Sequence, residues 1–278
     1  MGLDDCEKKM RTNLLSEDSV FNLYISKETW DDIKLYRKEY NEVIRERESN
    51  RIPFLHRSPQ HYCRGTTVDY LKKFSIKKQL THCTLHLAIY LLDIFMDNHN
   101  ISAERMPLVA NVCLLISAKL EENNVTIPKI QELNAAIKSP YPVHEYKALE
   151  ILVLKYFHWY IMFPTTAHYT HYFLPAAISK EDFCCSPRST TFDMQIIIRT
   201  YLDKVIDDIH YMQFYKPSML ASAIISLARK SVGLSSWNDQ LKTLTNFSDI
   251  ELEDAKLALI TNSPLECKNC TRGNNRKP

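Results

Sequence analysis

The stretch Pro107–Asn124, PLVANVCLLISAKLEENN, decides the fold. Ten of the thirteen residues from Leu108 to Leu120 are apolar, so a helix here is oily nearly all the way round. A helix without a polar face has to be central, with other helices around it. Yet this one closes on Lys119, Leu120, Glu121 and Glu122, and a charged end on a buried rod needs a reason.

The stretch has an echo. A shift of 110 residues lays PLVANVCLLISAK on PSMLASAIISLAR, pairing Pro107 with Pro217, Ala118 with Ala228 and Lys119 with Arg229. Between the two copies glycine is nearly absent: the chain has 4 in 278 residues, and none falls between Gly65 and Gly233. Tight-turned sheets need glycine, so helices joined by short polar loops are expected. Pro107, Pro128, Pro142, Pro164 and Pro217 each precede an apolar pattern at helical spacing, as first-turn prolines do.

The spacing predicts an amphipathic helix over about 26–48, with Trp30, Ile33, Tyr40, Val43 and Ile44 on one stripe. A polar linker, ESNRIPFLHRSPQHY, follows it. Five helices are then predicted over about 67–78, 81–97, 102–122, 126–136 and 142–159. After IMFP, five more are predicted over about 165–174, 190–211, 217–230, 236–245 and 248–262. The expected fold class is all-α: two tandem five-helix repeats preceded by an N-terminal amphipathic helix. The expected divisions are a disordered segment over 1–25, the helix and linker over 26–62, repeats over 63–162 and 163–264, and a polar basic tail over 265–278.

Composition narrows the function. The 45% hydrophobic and 24% charged residues are ordinary for a globular protein, and 35 basic against 33 acidic side chains leave a net charge of only +2. That balance lacks the basic excess of a non-specific nucleic-acid binder. Neither an apolar run of roughly 18 residues nor a signal-peptide pattern occurs, so a soluble intracellular protein is expected. Gly2 invites myristoylation, but Cys6 stands where that pattern wants Ser or Thr.

Eight cysteines are scattered along the chain, with Cys113 an expected core thiol. The Cys267 and Cys270 pair supplies two ligands where structural zinc takes four. His168 and His171 in HYTHYF have no third ligand in their company and read as packing or helix-surface residues. No phosphate loop, HExxH or nucleophile elbow is present, so no catalytic residue, metal or cofactor is expected.

Three stretches, in order, carry a resemblance to the cyclin family. LLISAKLEE (114–122) resembles the cyclin-box LLASKFEE, and TLHLAIYLLDIFM (84–96) resembles TLHLAVNYIDRFL. ALEILVLKYFHWYIMFPTTAHY (148–169) resembles the stretch around MEHLVLKVLTFDLAAPTV. With the second repeat after them, the resemblance spans about 26–262, and LAIYLLDIFMD followed by IPKIQELN looks closest to the cyclin J branch.

The resemblance implies a regulatory subunit that forms a heterodimer with a cyclin-dependent kinase and activates it allosterically in cell-cycle control. It implies a nuclear protein with a cytoplasmic share, kinase substrates or inhibitors as further partners, and no membrane. It also implies that Lys119 and Glu150 face each other and hold the kinase backbone near its αC helix. Leu120 and Trp159 would be apolar anchors there, with Glu121 and Glu122 as charges near the kinase's arginines. The first helix would pack on the second repeat and add contacts.

The residues alone leave alternatives. The Lys119–Glu150 pair reads equally as a salt bridge tying the third helix to the fifth, and Leu120 and Trp159 as core. Cyclin-type repeats also serve as transcription-type adaptors that hold nucleic acid or peptides. The substrate-docking motif MRAILVDW is altered to CRGTTVDY: Arg64 and Asp69 remain, while Cys63, Thr67 and Tyr70 replace larger apolar groups. A degraded patch with little affinity for RxL peptides is expected. RTNL (11–14) fits an RxxL destruction signal, and so does RMPL (105–108), expected inside a packed helix.

Overall fold

The computed structural model describes residues 27–55, 57–58, 60–178, 182 and 187–261. The RTNL segment, the 265–278 tail, Cys6, Cys184, Cys185, Cys267, Cys270 and the side chains of Trp30 and Ile33 lie outside the described residues.

Among the described residues there are helices and no strand. The first helix is α1 (Lys27–Ser49). The first repeat is α2 (Arg64–Lys78), α3 (His82–Asn98), α4 (Met106–Glu121), α5 (Ile130–Ala135) and α6 (Val143–Tyr156). The second is α7 (Thr166–Phe173), α8 (Pro187–Asp207), α10 (Pro217–Ser231), α11 (Asp239–Thr245) and α12 (Glu253–Thr261), with a short extra helix α9 (Ile209–Phe214).

α9 departs from the expected single helix over 190–211. Asp208 leaves helical geometry, and its carboxylate accepts from the His210 amide at 2.9 Å, so it stops α8 and caps a new start. The expected 248–262 helix is a 3₁₀ turn, Ile250–Leu252, running into α12.

α4 is central, as its oily sequence requires. Every residue from Met106 to Ala118 except Pro107 is buried, and α2, α3 and α6 lie against it. α10 repeats the arrangement, with α7, α8 and α12 around it. Each repeat thus has its own apolar core.

Three devices join the parts. Arg64 is buried and grips the Asp93 carboxylate with Nε at 2.8 Å and Nη2 at 3.0 Å, then donates to the carbonyls of Ile206 and Asp207, both at 2.9 Å. One guanidinium therefore satisfies a buried acid and the C-terminal end of α8.

The second device seats α1 on the second repeat. Ile44 enters that repeat's core, and Glu48 accepts from the Ser218 amide at 2.8 Å and hydroxyl at 2.9 Å, capping α10 from outside. Tyr169 donates to the Ile44 carbonyl at 3.0 Å, and Arg45 donates to that of Thr245. The third device is Asp97, whose carboxylate collects the linker amides of Leu55, Arg57 and Ser58 and lays that strand of chain along the first repeat.

Candidate partner-binding site

Each charged residue at the end of α4 reaches a different element. Lys119 Nζ donates to Glu150 Oε1 of α6 at 2.5 Å. Glu121 stands 3.2 Å from Nε2 of His168 in the first turn of α7. Glu122 accepts from the Thr81 amide at 2.7 Å and the Thr84 hydroxyl at 2.6 Å, reinforcing the Thr81 cap at the start of α3. Only Leu120 among the four is left with its side chain turned to solvent without a polar task, 37% exposed.

The Lys119–Glu150 pair is at the surface, the lysine side chain 47% and the glutamate 18% exposed. An exposed pair of this kind contributes at most about 1 kcal/mol to folding, so tying α4 to α6 does not by itself account for it. Around it the surface is apolar. Ile151 and Leu152, the residues after Glu150, are both about half exposed on α6.

Trp159 lies one turn beyond the end of α6 and is 63% exposed. Its amide folds back to the Leu154 carbonyl at 2.8 Å, and His158 and Trp159 take φ of 50° and 62° in succession. Two non-glycine residues in the left-handed region cost roughly 1 kcal/mol or more each, strain that here stops the helix and throws the indole outward.

α1 borders the same corner. Tyr40 packs against Tyr172 of α7 with ring centroids 4.6 Å apart and the planes tilted by 54°. Its hydroxyl pKa is pushed up by burial first and then by Cys83, with Glu121 adding to the effect. Tyr36, Tyr40 and Val43 nevertheless expose much of their surface, at i, i+4 and i+7 of one stripe.

The altered docking motif lies elsewhere on the first repeat. Arg64, placed in that patch by the resemblance, is not at the surface but in the Asp93 clamp. Thr67 is buried and its hydroxyl donates to the Cys63 carbonyl at 2.8 Å. Tyr70 donates to Asn111 Oδ1 at 2.5 Å, and burial pushes its own pKa up to about 12. Cys63, Thr67 and Tyr70 line a groove of about 350 Å³ with Met106, Ile137 and Tyr141.

Of the residues the resemblance pointed to, Lys119 and Glu150 are paired, while Leu120 beside the lysine and Trp159 beyond the end of α6 are both exposed. Sequence reasoning gave Glu121 and Glu122 no internal partner, and they have two, in α7 and α3. It missed Ile151 and Leu152, which read as packing in an apolar run although their helical phase beside Glu150 was a signal. His168 goes to Glu121, and His171 is exposed on α7.

A family model for the cyclin N-terminal domain matches residues 33–162, and one for the cyclin C-terminal domain matches 164–269. The chain is 31% identical over 219 residues to a cyclin-J-like protein of Mus musculus, covering 74% of this chain and 56% of that one. It is 29% identical over 220 residues to cyclin-J of Xenopus laevis, covering 76% and 57%. The chain therefore spans a little over half the length of these relatives.

A solved viral cyclin from herpesvirus saimiri is similar with a TM-score of 0.64 at 12% identity, over 80% of this chain and 95% of that one. A chain in the structure of the CAK complex of Chaetomium thermophilum bound to ATP-gamma-S is similar with a TM-score of 0.53 at 15% identity, over 95% and 82%. At these identities the likeness is one of fold.

Proposed function

The chain belongs to the cyclin family, and from that premise we propose that it is a regulatory subunit that binds a cyclin-dependent kinase as a heterodimer and activates it in cell-cycle control. The observation that carries the reading is the outward-facing Lys119–Glu150 pair, set among exposed Leu120, Ile151, Leu152 and Trp159. Apolar anchors ringed by charge are the composition of an interface hot spot.

The lysine offers ammonium donors to carbonyls of the partner's backbone, and the carboxylate accepts from its amides while neutralising the lysine. Leu120, Ile151 and Leu152 receive the apolar face of a mobile partner helix, and Trp159 fills a pocket beside it. Glu121 and Glu122 act from within, holding the end of α4 in place through His168 and α3. The stripe of Tyr36, Tyr40 and Val43 extends the surface along α1.

Activation is then a matter of differential contact: the surface fits the kinase with its αC helix turned in and its activation loop ordered, and so assembles the phosphoryl-transfer site in the partner. Turning a kinase from 1:99 to 99:1 in favour of that state takes about 5.5 kcal/mol of differential binding. A few hot-spot anchors at about 2 kcal/mol or more each supply that. Work in the nucleus is part of the reading, and the cyclin itself transfers no phosphate.

The test is a pulldown from cells of the unaltered protein beside Lys119→Ala, read by mass spectrometry, with kinase activity measured on the captured material. A cyclin-dependent kinase recovered with the first and depleted with the second supports the proposal. Its absence from the unaltered sample turns the reading toward a cyclin-fold adaptor.

A further inference from the structure

The end of α1, the linker, α3, α9 and the start of α10 meet around a cavity of about 240 Å³. α9 forms part of its wall because the Asp208 cap ends α8 and sets Met212, Gln213 and Phe214 beside the linker. Met212 packs on the cores of both repeats, which anchors that wall. Phe54 of the linker and Tyr90 of α3 add aromatic surface, with the Tyr90 hydroxyl accepting from the Ile52 amide at 3.1 Å.

Two polar side chains of the lining each hold a buried atom with no hydrogen-bond partner. One is Arg51 Nε, on a guanidinium held over the Tyr90 ring 4.5 Å from its centroid, and the other is Gln213 Oε1. A donor on the linker and an acceptor on α9 are thus brought to one cavity, each at a cost of roughly 1–3 kcal/mol while unpaired. Arg64 neutralises Asp93, so among the charged residues lining the cavity two cations, Arg51 and Lys216, stand against Glu48 alone. Both Glu48 oxygens are taken by Ser218, and Lys216 is exposed at the rim.

We propose that this cavity is a binding site for a small aromatic acid that also carries a hydrogen-bond donor. Its carboxylate takes the Arg51 Nε–H and faces Lys216, its donor reaches Gln213 Oε1, and its ring lies against Phe54 and Phe214, small side-chain turns opening the two unpaired atoms to it. The volume falls just under the roughly 300–1,000 Å³ of drug-sized sites, which sets the ligand at one ring with a short acid arm. A carboxylate suits the linker side because a charge-assisted bond to a guanidinium is about twice as strong as a neutral one. Bound there, the ligand ties the linker to α9 and stiffens the seat of α1. The inference stands apart from the kinase reading.

Titration calorimetry on the full chain with 4-hydroxyphenylacetate tests it, and a dissociation constant of about 1 mM or tighter is expected. Phenylacetate, which lacks the donor, and 4-hydroxyphenylacetamide, which lacks the charge, should each bind about fivefold more weakly. Arg51→Gln should weaken the hydroxy acid about tenfold, and Gln213→Leu should erase its advantage over phenylacetate. Lys216→Gln, at the exposed rim, should weaken it about threefold, and decides the matter if the Arg51 variant does not fold. A constant weaker than about 1 mM, equal binding of the three compounds, or binding that Arg51→Gln and Lys216→Gln both leave unchanged overturns the proposal.

Discussion

Lys119 and Arg229 occupy matching places at the ends of α4 and α10, and only Arg229 is sealed inside. Its guanidinium donates to Asp182 at 2.9 and 3.1 Å and to the carbonyls of Ala177 and Ser235. The first repeat turns the same position outward, with one partner at the surface.

Opposite consequences are expected on mutation. Arg229→Ala removes a fully buried guanidinium from the Asp182 carboxylate and from two carbonyls, and should cost about 3–5 kcal/mol of stability. Lys119→Ala or Glu150→Ala should change unfolding by less than about 1 kcal/mol and weaken partner binding by about 2–5 kcal/mol. Denaturant melts set beside binding titrations check both, and Lys119→Ala protein that unfolds early but binds normally would reject the assignment.

At the end of α6, stability and recognition should separate between neighbours. His158→Gly relieves a left-handed backbone and should stabilise the fold by about 1 kcal/mol. Trp159→Ala leaves that strain in place, removes an exposed indole, and should cost about 2 kcal/mol or more of partner affinity with little loss of stability. The pair of melting curves and the pair of dissociation constants are the readouts.

The docking groove should take RxL peptides poorly. Thr67 spends its hydroxyl on the Cys63 carbonyl where a larger apolar group would fill the groove, and Arg64 is unavailable to a peptide. Thr67→Leu should strengthen peptide binding severalfold. Low-micromolar affinity in the unaltered protein, measured by calorimetry, would contradict this.

Thiol reactivity should be uneven. Burial raises the Cys113 pKa, and burial with Glu121 and Glu122 nearby pushes Cys83 up to about 12. Both should stay unmodified by iodoacetamide at pH 8 in the folded protein, while the half-exposed Cys63 reacts. Peptide mapping by mass spectrometry reads all three, and labelling of Cys113 without unfolding would count against the core.

The central helix was legible because a stretch oily on every side leaves the chain one way to fold, and its echo doubled the inference. Lys119 and Glu150 were legible for the converse reason, as lone ionisable groups in apolar runs. The division at Asp208 was hidden because Ile206 and Ile209 carry the apolar pattern across it, and one capping carboxylate decides the break. The Arg64 clamp was hidden because its partners, Asp93 and the 206–207 carbonyls, come together only in three dimensions. Glu121 and Glu122 were half legible: their charge marked the helix end, but His168 and the start of α3 are brought to them by the tertiary fold.

The seating of α1 sets an order of events during synthesis. Its anchor points on the second repeat lie 170 residues downstream for Glu48 with Ser218 and 200 for Arg45 with Thr245. At about 5–20 residues per second, the ribosome delivers them roughly 10–40 s after α1 has been made. α1 is therefore late to dock, and for that interval Ile44 and its neighbours are uncovered apolar surface beside a first repeat that can already close its own core.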